Sequence, residues 1–292
     1  MGGVASLWGW WSQGDVFEYQ WGYENKIYDN LRSYMSTMGM HVETFFVIIA
    51  FIYFACIYIA CRKLFPKDTL FAILVYLAAF STFSYGTNGI KAGSASALFL
   101  VALAYAENLW IMIPLTLISW GFHHSMVMVV ACFTCVYFFK KAKYYFILWL
   151  CGLVVAALHI EFFQNMFMGM VDEHGASYLH QQIHGKGLRL DFIMYSAVPV
   201  IIGYYALFLK KIQSEKYSLL ISLYLMTNTI WMLCMYGEFT NRIAYLSWFL
   251  HPWVMIYPFL HEKIGASQYR IVNNIALCHL LFTLFLHFIY WS

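Results

Sequence analysis

Charge is the scarcest commodity in this chain. Only 11% of its 292 residues are charged, 17 Lys and Arg against 14 Asp and Glu, where soluble domains carry about 25%. With 62% hydrophobic and 21% aromatic residues, a soluble domain of this size could not cover its apolar surface. A mean hydropathy of +0.65 says the same, and a cytosolic enzyme is excluded. The net charge of +3 is too small to mark a polyanionic partner, so no nucleic acid is expected. Proline is limited to five residues, and there are no Gly/Ser linkers and no long repeats. One membrane domain is expected, without a separate soluble one. The seven cysteines (56, 61, 132, 135, 151, 234 and 278) lie in apolar stretches and read as small buried residues. Cys132 and Cys135 form a lone C-x-x-C with no second pair and no βαβ context, so neither a zinc ribbon nor a redox motif follows. A signal peptide is lacking too: Met1 to Trp11 is too short to span and has no basic n-region.

What is present is a series of apolar runs. A membrane helix needs about 20 mostly apolar residues. Such helices are expected at about 44–61, 68–85, 92–106, 109–121, 124–139, 144–160, 191–209, 217–236, 243–260 and 271–291. The fold class is therefore an all-α polytopic membrane protein with about ten transmembrane helices. Pro114 either kinks its short span or makes 109–139 one broken unit. Residues 1–43 read as a polar-aromatic extracytoplasmic segment. The spans 44–160 and 191–292 flank a long loop, 161–190, whose apolar positions 162, 163, 166, 167 and 170 have helical spacing. That piece is expected to lie in the membrane interface.

The basic residues give an orientation. Arg62, Lys63 and Lys67; Lys140, Lys141 and Lys143; Lys210, Lys211 and Lys216; and Lys263 with Arg270 fall at alternate loops. That side is expected to be cytoplasmic, and both chain ends then lie outside. A chain that starts outside without a signal sequence suggests an upstream helix beyond this sequence.

The remaining charges cluster at the expected outer ends of spans, where ionisable residues default to functional hypotheses. Lys91 follows Asn88-Gly89-Ile90 and precedes a run of small residues that let a backbone or a ligand approach closely. A lysine at a helix start favours an anion there, or else it snorkels to the interface. Phe122-His123-His124-Ser125 offers an imidazole able to exchange a proton at neutral pH, or a merely structural histidine. Arg189 stands beside Asp191, with which it could pair. Arg242, in Glu238-Phe-Thr-Asn241-Arg242-Ile-Ala-Tyr245, is a fork of donors suited to phosphate oxygens, or a partner for Glu238. Three cations and a histidine on one side suit a negatively charged, lipid-linked phosphate or diphosphate. His180 and His184 have i, i+4 spacing beside His174, but no H-E-x-x-H pattern exists and Gly185 and Gly187 break the helix. No metal and no cofactor are expected.

These residues also carry a resemblance. Asn88-Gly-Ile-Lys91-Ala-Gly, Phe122-His123-His124-Ser125 and Asn241-Arg242-Ile-Ala-Tyr245 are similar, in order and spacing, to motifs of the EpsG family of exopolysaccharide proteins, a branch of the Wzy-like polymerases. Asp15-x-x-x-Tyr19 resembles the stretch that follows the family's first helix. Lys91 departs from the pattern, standing where the family usually has arginine; it keeps the charge and loses the bidentate fork. The resemblance implies a GT-C/Wzy-like fold and a polymerase at the outer face of the bacterial inner membrane. Its substrate would be an undecaprenyl-diphosphate-linked oligosaccharide, and its partners a flippase and a chain-length regulator. His123, Arg242 and Lys91 would be catalytic. Arg189, Asn88, His124, Ser125, Asn241, Tyr245 and Asp15 would contact substrate. The competing readings are a single-step lipid-phosphate-sugar glycosyltransferase, a non-enzymatic transporter of the same glycan, and a membrane O-acyltransferase.

Overall fold

The computed structural model describes residues 11, 16–160, 187–236, 240–262, 264 and 267–290. Among them there are helices and no strands. In order these are α1 (Lys26–Thr37), α2 (Val42–Leu64), α3 (Thr69–Ala78), α4 (Phe80–Thr87), α5 (Ile90–Ala104), α6 (Leu109–Phe122), α7 (Met126–Phe138) and α8 (Ala142–Ala157). They continue with α9 (Leu190–Tyr204), α10 (Glu215–Leu233), α11 (Thr240–Trp248), α12 (His251–Leu260) and α13 (Gln268–Phe285). Each apolar run carries helix. Four helices are long and apolar enough to cross a membrane: Val42–Leu64, Leu190–Leu209, Thr240–Leu260 and Gln268–Ile289. The bent pair α3–α4 meets the same measure only when its two helices are taken together, and α5 to α8 are shorter apolar helices. Large apolar side chains recur at helical spacing on exposed faces, as at Val47, Phe51, Phe54 and Tyr58 of α2, and Ile113, Leu117 and Trp120 of α6. Water would make such stripes an aggregation hazard; lipid makes them ordinary.

The expected span 68–85 is broken. α3 and α4 meet at 70°, at Ala79, whose backbone is extended (φ −72°, ψ 138°). No proline or glycine lies at the corner. A side chain sustains it instead: the Thr283 hydroxyl donates to the Ala78 carbonyl at 2.8 Å. A carbonyl freed from its helix in an apolar setting needs such a partner.

The chain divides into two compact units, Met1–Met126 with Ala276–Ser292, and Val127–Ile275. In the first, α5 is the centre, buried from Gly93 to Ala104 and packed between α2 and α6. Its small residues serve helix packing. A Cβ on Gly93 would lie 2.9 Å from both the Cβ and the backbone oxygen of Tyr85, and the Ser119 hydroxyl donates to the Ala95 carbonyl at 2.7 Å. The close approach anticipated for this stripe is therefore made by neighbouring helices.

In the second unit, α11 and α12 are the core, buried without interruption from Ile243 to Leu260. The rod is interrupted at Phe249–Leu250, because Pro252 has no N–H to donate to Trp248 four residues back. Asn228, fully buried, ties four helices together. Its side-chain oxygen accepts from Trp149 Nε1 at 2.8 Å, and its amide donates to Ser196 and Ser247 Oγ at 3.0 Å each. Trp248 Nε1 also donates to Ser196, at 2.8 Å. Every polar atom of Asn228 is used, as burial demands.

Candidate functional site

Within each unit the helices run alternately, and charged contacts identify the ends. In the first unit, Lys63 at the end of α2 pairs with Glu107 beyond α5 at 3.0 Å and lies over the Tyr105 ring. In the second, Lys140 meets Glu215 at 3.4 Å, joining the α7–α8 turn to the start of α10, and Tyr217 at the foot of α10 donates to Val254 of α12. These ends hold the lysine-rich loops. The residues singled out as functional stand at the opposite end of their unit in both cases.

In the first unit that end gathers four elements. Lys91 is in the first turn of α5, and His123 interrupts the helix after α6 with extended backbone (φ −148°, ψ 121°). The His123-His124-Ser125 segment is thus the short break before α7. Over both lies α1, an amphipathic helix not anticipated from the sequence. A Cβ on Gly121 would come within 2.5 Å of Ile27, so this glycine admits α1 against α6. The Tyr28 ring makes edge contacts with Phe45 of α2 and Phe122 of α6, and Lys91 Nζ sits 5.4 Å from its centroid. Burial, reinforced by Asp29, pushes the Tyr28 phenol far above its ordinary range. The ring is therefore a neutral cation–π partner.

Asn25 and Asp29 link these elements by polar contacts. Asn25 is buried and caps nothing in its own helix. Its oxygen accepts from the His124 backbone N–H at 2.9 Å, and its amide donates to Asp29 Oδ2 at 3.2 Å. The other oxygen of Asp29 faces Lys91 Nζ at 3.8 Å. An anion does stand at Lys91, and it is the protein's own. Asn88 is exposed one turn ahead. Beside this end, an apolar cleft of about 170 Å³ opens between α2 and the α4–α5 corner, lined by Ile49, Tyr53, Tyr85, Ile90 and Ser94 among others.

In the second unit, Arg189 grips Asp191 with two bonds, Nε–Oδ1 at 3.0 Å and Nη2–Oδ2 at 2.7 Å, and its guanidinium covers Phe192 at 3.7 Å. The pairing weighed from the sequence is present. Phe192 packs on Trp231 and Trp248, and Trp231 Nε1 donates to Thr240 Oγ1 at 3.0 Å. That bond pins the start of α11, where Asn241 is half-buried and Arg242 is exposed. Tyr245, one turn on, is buried against Trp248. At the same end His159, with left-handed backbone (φ 53°), stacks on Tyr236 at 3.7 Å.

Asp15, Glu238 and the histidines 174, 180 and 184 lie outside the described residues, as does the interfacial helix expected after residue 160. Among the described residues no cluster of three or more His, Cys, Asp or Glu side chains could hold a metal.

A family model, the EpsG family, matches residues 8–292. The chain belongs to the EpsG family. No curated protein and no solved structure matches it. An EpsG-family protein of this helical make-up is a membrane protein related to exopolysaccharide polymerases, as the three short motifs led one to expect. Sequence reasoning missed Asn25 and Asp29. The available signal was the apolar spacing Tyr28, Leu31 and Met35, a helical period within a segment that looked merely polar and aromatic.

Proposed function

We propose that this EpsG-family protein polymerises lipid-linked glycan repeat units at the outer face of the bacterial inner membrane. It transfers a growing glycan from undecaprenyl diphosphate to a sugar hydroxyl of another lipid-linked unit. The observation that carries this reading is the family match over nearly the whole chain. It is supported by the placement of Lys91, and of Arg189 and Arg242, away from the lysine-rich end of their respective units. Ten membrane crossings, with those lysine-rich ends in the cytoplasm, complete the reading. A flippase and a chain-length regulator are the proposed partners.

The chemistry needs little from outside. The acceptor oxygen attacks the anomeric carbon, the bond from that carbon to the diphosphate breaks, and undecaprenyl diphosphate departs. Attack opposite the leaving group inverts the anomeric centre. His123 takes the proton of the attacking hydroxyl. Lys91, Arg189 and Arg242 are assigned to phosphate oxygens, stabilising charge as it grows. The exposed Arg242 suits that role best; Arg189 must share its fork with Asp191. Asn88, His124, Ser125, Asn241, Tyr245 and Asp15 are assigned to substrate contact.

The test is a product assay. Purified protein in nanodiscs receives its lipid-linked repeat unit and no nucleotide sugar. A ladder of products is the expected result. A single added unit would replace the polymerase with a one-step transferase, and transport without bond formation would replace it with a transporter.

A further inference from the structure

The contact between Lys91 and Asp29 is unlike a structural salt bridge. At 3.8 Å it is about 1 Å longer than a tight ammonium–carboxylate bond. The two partners are held very unequally. The Asp29 side chain is 15% exposed, lies in the first turn of α1, and is fixed through its second oxygen by Asn25. Asn25 is itself 5% exposed and bonded to the main chain of the His123–Ser125 break. Lys91 is 33% exposed, and among the described residues its ammonium is held only by this long contact and by the face of Tyr28. An ammonium has three donors, and one carboxylate oxygen at 3.8 Å saturates none of them. The carboxylate is the fixed member and the ammonium the movable one.

We infer that Asp29 is a resident counter-anion for Lys91, a positioning residue whose carboxylate holds the ammonium in place and is replaced there by a phosphate of the arriving substrate. This rests on the assignment of Lys91 to phosphate oxygens made above. It gives α1 a purpose: through Asn25 and Asp29, one helix sets both the backbone of the break and the aim of the lysine. It also suits a lysine at this position. A guanidinium would lock onto Asp29 bidentately, whereas an ammonium exchanges one oxygen for another without breaking a fixed geometry.

The full-length protein in nanodiscs is titrated with geranylgeranyl diphosphate, a short isoprenoid diphosphate. Lys91→Gln should weaken binding at least tenfold. Asp29→Asn, which is isosteric and can still accept from Asn25, should tighten it about three- to tenfold. Asp29→Glu, which restores the charge, should return it to the wild-type value. The double variant Lys91→Gln/Asp29→Asn should bind as Lys91→Gln does. Unchanged or weaker binding by Asp29→Asn overturns the inference while leaving the role of Lys91 intact. Tightening that persists without Lys91 also overturns it, because Asp29 would then repel the probe directly. If Lys91→Gln binds as the wild type does, the assignment of Lys91 to phosphate falls, and this inference falls with it.

Discussion

The side-chain oxygen of Asn25 accepts a hydrogen bond from the backbone N–H of His124, 99 residues further along the chain. No helix supplies a partner for that N–H, since the backbone leaves helical geometry at His123. Asn25→Ala removes the bond and also releases the Asp29 carboxylate. We expect a loss of about 1–3 kcal/mol from the unmet donor, read as a lower unfolding temperature in detergent. Polymerisation should fall further than stability does, because the His123–Ser125 break loses its anchor. Wild-type melting would show that water serves His124 equally well.

Thr283→Val tests the corner at Ala79. Valine matches the shape of threonine and removes only the hydroxyl bonded to Ala78. The expected cost is about 1–2 kcal/mol. Amide exchange should quicken at Thr82 and Phe83, whose N–H groups bond to the Ala79 carbonyl. Exchange that speeds up uniformly across the chain would argue against a local role.

How much of this was legible in the sequence differs from element to element. Hydropathy placed a helix on every apolar run, because lipid-facing and buried stretches both read as apolar. It could not see the bend between α3 and α4. The residue that sustains it lies 205 positions away, and no local breaker marks the spot. The run from Gly93 to Ala97 was visible but its use was not; only the fold shows Tyr85 resting against Gly93. Lys91 and the histidines stood out as charged or titratable in apolar surroundings. Asp29 did not, since an acid in a polar segment is unremarkable until the fold sets it beside an ammonium.

Two glycines should behave differently. At Gly93 a new Cβ meets the backbone of Tyr85 at 2.9 Å, while at Gly121 it meets the end of the Ile27 side chain at 2.5 Å. Backbone yields less readily than a side-chain tip. Gly93→Ala should therefore destabilise by about 1–3 kcal/mol, and Gly121→Ala by less. The second should still disturb activity by lifting α1. Equal melting temperatures for the two variants would contradict this.

Asn228→Leu removes an acceptor for Trp149 and a donor to Ser196 and Ser247 at once. The orphaned indole N–H is buried, so we expect about 2–4 kcal/mol of destabilisation. Asn228→Gln, one methylene longer in a close-packed site, should rescue little. Thermal unfolding of both variants in one detergent decides the matter.

His123→Ala and Arg242→Ala should each lower polymerisation by roughly 100-fold or more with folding unchanged, as judged by elution profile and melting. Arg242→Lys should fall between, keeping charge and losing the fork. Full activity in both alanine variants would remove these residues from the chemistry.

The Lys63–Glu107 pair also fixes a depth. It sets the far end of α5 level with the last turn of α2. From that common floor α2 has 23 residues and α5 only 15, a difference of about 12 Å at 1.5 Å per residue. The whole shortfall falls at the Lys91 end. The backbone of Lys91 therefore begins about 10 Å below the start of α2, and its side chain spans the gap to Asp29 and the Tyr28 ring of α1. With the Asp29 carboxylate beside it, Lys91 carries little net field outward, so a passing anion is drawn in only once it is close enough to take the carboxylate's place.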